Sequence, residues 1–406
     1  NSIISQANHL KKNIKFERNY SKKLEILTSL ILSGLVFKEY EDNFNIGIRE
    51  LEKLVKNFFN KDGFPLTRNP NDLIFFSKYL ILCKKCIEDA QKYVPEFLDT
   101  IIEENLKCLG SIVTPSNQLP LFNGGTEDNL DNFNKITKAL NHKLKYKKDM
   151  VGGIHAFTNK KIALFFEAGD PPGKSFSKCY QSGPLSFEYY LDGEKIITNC
   201  GFGSNISSKA ELLSRLTSAQ STLTLNDTSV TKFERNKVIN RIFGNSITNT
   251  FKVRNYKFEE NKDKIKFIAS HNGYEKKFGC MHTRELSIDK LKGNLIGIDK
   301  IEKKKNGKPL NFNLRFHLYP GLTAVKTMSG NSVLIQITKN KSLIFTVKDE
   351  NVILEKSIFL GRNKILDNTC INIPGNLVNV DKSIHWVLKW VLDVKIFLNS
   401  LTFQKC

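Results

Sequence analysis

Few side chains in this 406-residue chain are placed to do chemistry, and they are far apart. Arg68 carries a guanidinium, which matches a carboxylate in bidentate geometry, and the neighbouring Asn69 and Asn71 are able to neutralise a carboxylate by hydrogen bonding. The bland readings compete directly: a salt bridge or helix-end contact for Arg68, and for Asn69 a helix cap with Pro70 in the first helical position. His271 and His317 fall at strand ends and His155 before a strand, where a ring bonded to nearby backbone is a more frequent outcome than a proton shuttle. Glu188 alternates with core residues, so it reads as a solvated outer-face carboxylate unless it orients a neighbour. Cys83-Lys84-Lys85-Cys86 lies in a helical run with no second cysteine pair and no nearby His, so helix packing outweighs a zinc or redox role. Trp386 and Trp390, four apart, could stack on sugar rings, although that spacing more often docks a terminal helix.

The elements that must position these groups change type part-way along the chain. From Ser21 to about Asn141, apolar residues recur at helical spacing: Leu24, Leu27, Leu30 and Ile31; then Ile48, Leu51, Val55 and Phe58; then Leu73, Phe76 and Leu80; then Leu98, Ile101, Ile102 and Leu106. Asp62-Gly63 with Pro65 and Pro70, then Pro95, then Pro115 and Pro120 separate the stripes. Amphipathic helices joined by short connections suit a bundle or an α/α toroid. Beyond Asn123-Gly124-Gly125 and a helix around Leu130 to Leu140 the period becomes 2. Lys161 to Glu167 reads as a buried strand and Leu185 to Leu191 as a half-buried one. Strands are expected at Lys195 to Asn199, Ser221 to Leu225, Lys264 to Ser270, Leu314 to Leu318, Val333 to Ile337, Ser342 to Val347 and Asn351 to Phe359. Segregation of helices from strands argues against an alternating α/β fold. The expected fold class is therefore multidomain: an N-terminal α/α toroid-type helical domain over residues 1–142, an antiparallel β-sandwich domain over 143–385, and a helical tail over 386–406.

Composition narrows the partners. The net charge of +21 would attract polyanions, but Lys outnumbers Arg and is spread everywhere, as compositional bias would produce, and no nucleic-acid motif accompanies it. Lys303-Lys304-Lys305-Asn306-Gly307-Lys308 reads as a solvated hairpin tip. The eight cysteines form no disulfide framework, and no apolar run approaches the roughly 18 residues that span a bilayer. Because the chain starts at Asn1, close to an amphipathic pattern, a trimmed piece of a longer protein is expected, with any signal segment upstream.

Several segments, in order, resemble the heparinase II/III family, whose members join an α/α toroid to a β-sheet domain and cleave acidic polysaccharides by β-elimination. Asp62-Gly63 with Thr67-Arg68-Asn69-Pro70 is similar to the family's Asp-Gly-Gly-His and Ser-Pro region, and Leu121-Phe122-Asn123-Gly124-Gly125 to its next loop. Gly183-Pro184-Leu185-Ser186-Phe187-Glu188, Ile196 to Gly201, and Arg215 to Thr222 resemble the His-Ala-Asp-x-Leu-Ser-Phe, Val-x-Asp-x-Gly and Arg-x-Thr-x-Ala-His-Asn-Thr motifs; Ser270 to Tyr274 and Phe316 to Pro320 extend the likeness.

The resemblance implies a Tyr or His base, a group that neutralises the uronate carboxylate and, in some members, zinc held by His and Asp. This chain departs from that set. The helical His falls at Pro65 and the Tyr-His pair at Asp72-Leu73; the His-x-His positions fall on Cys179 and Gln181, the metal Asp on Asn199 and the metal His on Gln220. Neutral amides are poor zinc ligands, so no metal and no cofactor are expected. Gln181, Asn199 and Gln220 are expected either to form a hydrogen-bonded cluster that keeps the site's shape or to touch substrate directly. The site carried over by resemblance has Tyr180, Gln181 and Arg68 as catalytic candidates, and Arg68, Asn69, Asn71, Asn199 and Gln220 as substrate-binding ones. Tyr180, between the two altered positions, is the surviving phenol. Implied with them are an acidic, uronate-containing polysaccharide as partner and a periplasmic or envelope location, with the cytoplasm as alternative. Two functions remain open: a lyase acting by β-elimination, and a catalytically impaired glycan-binding or envelope-associated protein of the same fold.

Overall fold

The computed structural model describes residues 2–236, 238–240, 244–304, 308–378 and 381–391. The chain divides into two compact units, one holding residues up to Val113 with Asn117–Leu119 and Asp128–Gly152, the other holding Thr114–Ser116, Pro120–Glu127 and the chain from Gly153 onward.

The first unit is helical: α1 (Ser2–Asn13), α2 (Tyr20–Val36), α3 (Glu41–Phe58), α4 (Pro70–Asp89), α5 (Glu96–Ile112) and α6 (Asp131–Ala139). The stripes read from the sequence become its core, with Leu24, Leu27, Leu30, Ile31, Leu51, Leu73, Phe76, Leu80 and Leu98 fully buried. Small residues set one spacing: a Cβ on Gly34 of α2 would lie 2.3 Å from the Phe44 backbone nitrogen of α3, so only glycine admits that approach. Phe58 stacks on Phe76 with ring centroids 4.3 Å apart, joining α3 to α4. Cys83 is buried on α4 with its thiol on the Thr28 hydroxyl, and burial pushes that thiol up to about 11, so it packs rather than reacts.

The second unit holds two antiparallel eight-stranded sheets. The first contains β1 (Ile154–Thr158), β2 (Ile162–Glu167), β3 (Phe187–Leu191), β4 (Glu194–Thr198), β5 (Leu223–Leu225), β10 (Leu310–Leu318), β14 (Ile353–Phe359) and β15 (Leu366–Leu377). Its order is β1-β2-β3-β4-β10-β15-β14, with β5 also on β10. The second contains β6 (Val253–Glu260), β7 (Lys264–His271), β8 (Cys280–Asp289), β9 (Leu295–Lys303), β11 (Thr323–Lys326), β12 (Ser332–Thr338), β13 (Lys341–Val347) and β16 (Lys382–Trp390), ordered β11-β12-β13-β16-β9-β8-β7-β6. Aromatic rings of the two sheets meet: Phe187 stacks on Trp386 at 5.9 Å, and Phe316 lies 4.7 Å from Trp386 and 5.0 Å from Phe345.

Four expectations need correction. Trp386 and Trp390 stand on β16 rather than on a helix, and Trp386 is a buried core ring, not a sugar platform; residues 392–406 lie outside the described ones. The segment Lys303 to Lys308 is not a hairpin tip, because β9 and β10 on either side of it belong to different sheets; residues 305–307 also lie outside the described ones. β3 is buried on both faces, not one. His155 sits inside β1, its ring bonded to the Tyr256 hydroxyl.

Candidate functional site

In the helical unit, the loop Asp62 to Asn69 delivers Arg68 in a left-handed backbone conformation, φ 60°. Its Nε donates to the Gly152 carbonyl at 2.8 Å and the side chain is buried. Asn69 caps α4: its Oδ1 accepts the Asn71 backbone N–H at 3.0 Å, and Pro70 follows in the first turn. The Thr67 hydroxyl donates to the Asp72 carboxylate. Burial raises that carboxyl to about 6, and the Thr67 hydrogen bond only partly offsets the rise. Arg68, Asn69 and Asn71 are thus gathered at one helix start, with Asn71 half-buried there.

In the β unit, Gln181, Asn199 and Gln220 are all buried, and each amide is tied to backbone. Gln181 Oε1 accepts the Gly124 N–H at 3.0 Å, while its Nε2 donates to the Gly201 and Ser214 carbonyls, both at 2.9 Å. Gln220 Nε2 donates to the same Ser214 carbonyl at 2.8 Å. Asn199 Oδ1 accepts the Ser221 N–H at 2.9 Å and its Nδ2 reaches the Leu121 carbonyl at 3.3 Å. The cluster is therefore amide-to-backbone rather than amide-to-amide, converging on Ser214 and on the Leu121–Gly124 turn. This donor set does not fit zinc, because the Gln181 and Asn199 oxygens already accept backbone N–H groups and carry no charge. Among the described residues no group of three His, Cys, Asp or Glu side chains is placed to hold a metal ion. Tyr180 is buried beside this cluster, its carbonyl accepting Arg215 Nε at 2.8 Å.

Glu188 overturns the outer-face reading. It is fully buried on β3, with Lys195 Nζ 3.0 Å from its Oε1 and the Thr198 hydroxyl donating to the same oxygen at 3.0 Å. Lys195 also lies 3.0 Å from Glu127 Oε1, and Glu127 Oε2 accepts the Tyr319 hydroxyl at 2.9 Å and Arg362 Nε at 3.2 Å. Burial raises the Glu188 carboxyl, with Lys195 pulling the other way. Burial also pushes Glu127 up, but Lys195, Tyr319 and Arg362 outweigh it and hold that carboxyl below its usual value. Glu188 Oε2 has no hydrogen-bond partner among the described residues. The pairing joins residues 68 apart in sequence, which no local spacing foretells. A lysine inside the strand run after Gly193 was the one available signal.

A second polar group links the sheets. The Gly273 N–H donates to His271 Nδ1 at 3.1 Å; His271 Nε2 is 3.2 Å from His282 Nδ1; His282 Nε2 is 2.7 Å from Asp299 Oδ1. That order fixes both rings as neutral with the proton on Nε2. Arg284 Nε donates to Asp299 Oδ1 at 2.7 Å, and its Nη1 to the Leu185 and Ser221 carbonyls at 2.8 and 2.7 Å. Burial drives the Asp299 carboxyl up, yet Arg284 and His282 more than offset it and hold it at about 2. His317 is likewise structural, its Nε2 on the Ser218 carbonyl at 3.0 Å and its Nδ1 on the Ser357 hydroxyl at 3.0 Å.

A helical unit followed by two antiparallel sheets is a fold shared with solved heparinase structures. Heparan sulfate lyase HepC from Pedobacter heparinus aligns with a TM-score of 0.75 at 17% identity, covering 95% of this chain and 62% of that one. A heparinase III structure aligns with a TM-score of 0.77 at 14% identity, covering 96% and 62%. Residues 145–387, more than half of the chain, match the family described as heparinase II/III-like, C-terminal. The chain belongs to the heparinase II/III-like family. It is also 23% identical over 352 residues to the FtsZ-localized protein C of Caulobacter vibrioides (strain NA1000 / CB15N), covering 83% of this chain and 59% of that protein. The chain spans 59–62% of the length of these relatives.

Proposed function

We propose that this chain is a glycan-binding member of its family, with a partial α/α toroid and a β-sandwich, that engages acidic, uronate-containing polysaccharide at the cell envelope without metal-assisted elimination. The observation that carries the reading is the fate of Gln181: both ends of its amide are committed to backbone partners, and its oxygen carries no charge to hold an ion. Asn199 supports it in the same way. Arg68, with Asn69 and Asn71 at the start of α4, supplies the groups suited to a uronate carboxylate, and Tyr180 is the phenol retained beside the amide cluster. The test incubates the full protein with a panel of uronate polymers, following ultraviolet absorbance of the unsaturated product and retention on immobilised polymer. Retention without absorbance is expected; absorbance that grows with enzyme concentration overturns the non-catalytic reading.

The likeness to a protein named for its localisation with FtsZ favours a second reading, a binding role beside FtsZ with no glycan involved. Co-sedimentation with FtsZ polymers, combined with no retention on any glycan, selects it.

A further inference from the structure

The most exposed part of the Glu188–Lys195–Glu127 network is Arg362, on the turn between β14 and β15. Its Nε is held by Glu127, one terminal nitrogen donates to the Tyr319 hydroxyl, and the guanidinium lies 5.6 Å from the Tyr319 ring centroid. The other terminal nitrogen, Nη1, bonds nothing among the described residues, and 47% of the side chain is exposed. Such a guanidinium is pre-organised: fixed on one edge by Glu127 and the Tyr319 hydroxyl, it loses little rotamer freedom when the free edge takes up a ligand. Tyr319 is itself half-buried, braced edge-on by Phe359 at 5.4 Å, with Lys195 Nζ 5.5 Å from its ring centroid. Lys364, two residues beyond Arg362, is exposed and makes no ion pair among the described residues.

Burying a lysine and two carboxylates costs several kcal/mol per ion before pairing, by general estimate, and apolar side chains of similar volume would fill the space without that cost. An ionic network that ends in an exposed, oriented arginine is therefore better explained by recognition than by stability. We propose that Arg362 and Tyr319 form a subsite for the carboxylate or sulfate of an acidic sugar, Arg362 gripping the anion with its free edge while Tyr319 and Glu127 hold the guanidinium in place. The assignment rests on the glycan-binding reading above and adds a position to it.

The test follows the Arg Nε cross-peaks of nitrogen-labelled full protein during separate titrations with sodium glucuronate, sodium sulfate and glucose, the Arg362 peak being identified by its loss in Arg362→Lys. The Arg362 peak is expected to move with both anions and not with glucose, and Arg362→Gln to weaken binding of a glucuronate-containing oligosaccharide about tenfold, or about 1.4 kcal/mol. Arg362→Lys, which keeps the charge, separates lost recognition from a loosened Glu127 loop: equal melting temperatures with unequal affinities support the subsite. An Arg362 peak that stays fixed while the protein binds glycan elsewhere overturns the subsite and leaves the glycan reading intact. An Arg362 response to anions in a protein that no polymer retains keeps the anion site and overturns the glycan reading.

Discussion

Lys195 keeps its charge inside the β unit because Glu127 and Glu188 both lie 3.0 Å away. Removing one member of such a set leaves a buried charge without compensation, which typically costs 3–5 kcal/mol, roughly, against a net worth for the intact pair that is far smaller. Lys195→Met is accordingly expected to destabilise the protein by about 4 kcal/mol in urea melts. Adding Glu188→Gln and Glu127→Gln should recover part of that loss, and no recovery would sink the account of the cluster as one electrostatic unit. His317 makes a prediction of the opposite kind, in pH. Burial lowers its pKa from 6.5 to about 4, with the Ser218 carbonyl only partly opposing. Below 6.5 the unfolded chain takes up a proton that the folded ring refuses until about 4, so this contribution to stability is full above 6.5 and falls as pH drops through that window. A shift of this size corresponds to roughly 3 kcal/mol. His317→Gln should flatten the fall in melting temperature between those two pH values, and a fall as steep as in the wild type would show that His317 does not cause it. His271 and His282 are lowered by burial in the same direction, so some slope persists in the variant.

At the scale of elements, the start of α4 was readable in advance because Asn69 and Pro70 announce it chemically: one accepts a free N–H, the other lacks one to leave unpaired. Asn69→Ala is expected to cost about 1 kcal/mol and Asn69→Asp or Asn69→Ser much less, measured as the shift in the urea midpoint at constant slope. A change below about 0.3 kcal/mol would mean that the cap is supplied by another group. The helical stripes were legible for a similar reason, since a period of 3.6 with one buried face is written locally. β3 was not. Its alternation of Phe187, Tyr189 and Leu191 with Glu188 and Tyr190 has the signature of a strand wet on one side, yet all five residues are buried. Period 2 reports which residues share a face, and only tertiary structure reports what covers the second face. Trp386 and Trp390 failed likewise: a spacing of four satisfies a helix face and one face of a strand equally, and β16 took them. The amide cluster was half legible. The residue types marked these positions as amides, poor zinc ligands, but the sequence held no hint that Ser214 would gather both Gln181 and Gln220.

At the scale of the molecule, the β unit is two sheets joined by aromatic rings and by a buried polar group centred on Arg284 and Asp299, and that group does more than fill space. Asp299 receives Arg284 and His282 on one oxygen and the Trp386 indole on the other at 2.8 Å. Arg284, on β8 of the second sheet, reaches the carbonyls of Leu185 and Ser221, which lead into β3 and towards β5 of the first. Leu185 holds a left-handed conformation, φ 59°, that a branched aliphatic residue adopts only when its surroundings impose it. The bond from Arg284 to its carbonyl is one such constraint, so the pair fixes how the loops carrying Gln181 and Gln220 leave the core. An apolar isostere would hold the sheets together as well but would leave those two carbonyls unpartnered. Asp299→Asn should cost about 3–5 kcal/mol, because it leaves the Arg284 cation buried without a counterion. Arg284→Met should cost a comparable amount, through the orphaned carboxylate. The decisive measurement is the double variant in a thermodynamic cycle: since the two single losses arise from the same interaction, their sum should exceed the double loss by more than about 1 kcal/mol. Additivity within about 0.5 kcal/mol would mean that the two residues act independently and that the sheets are joined by their aromatic faces alone.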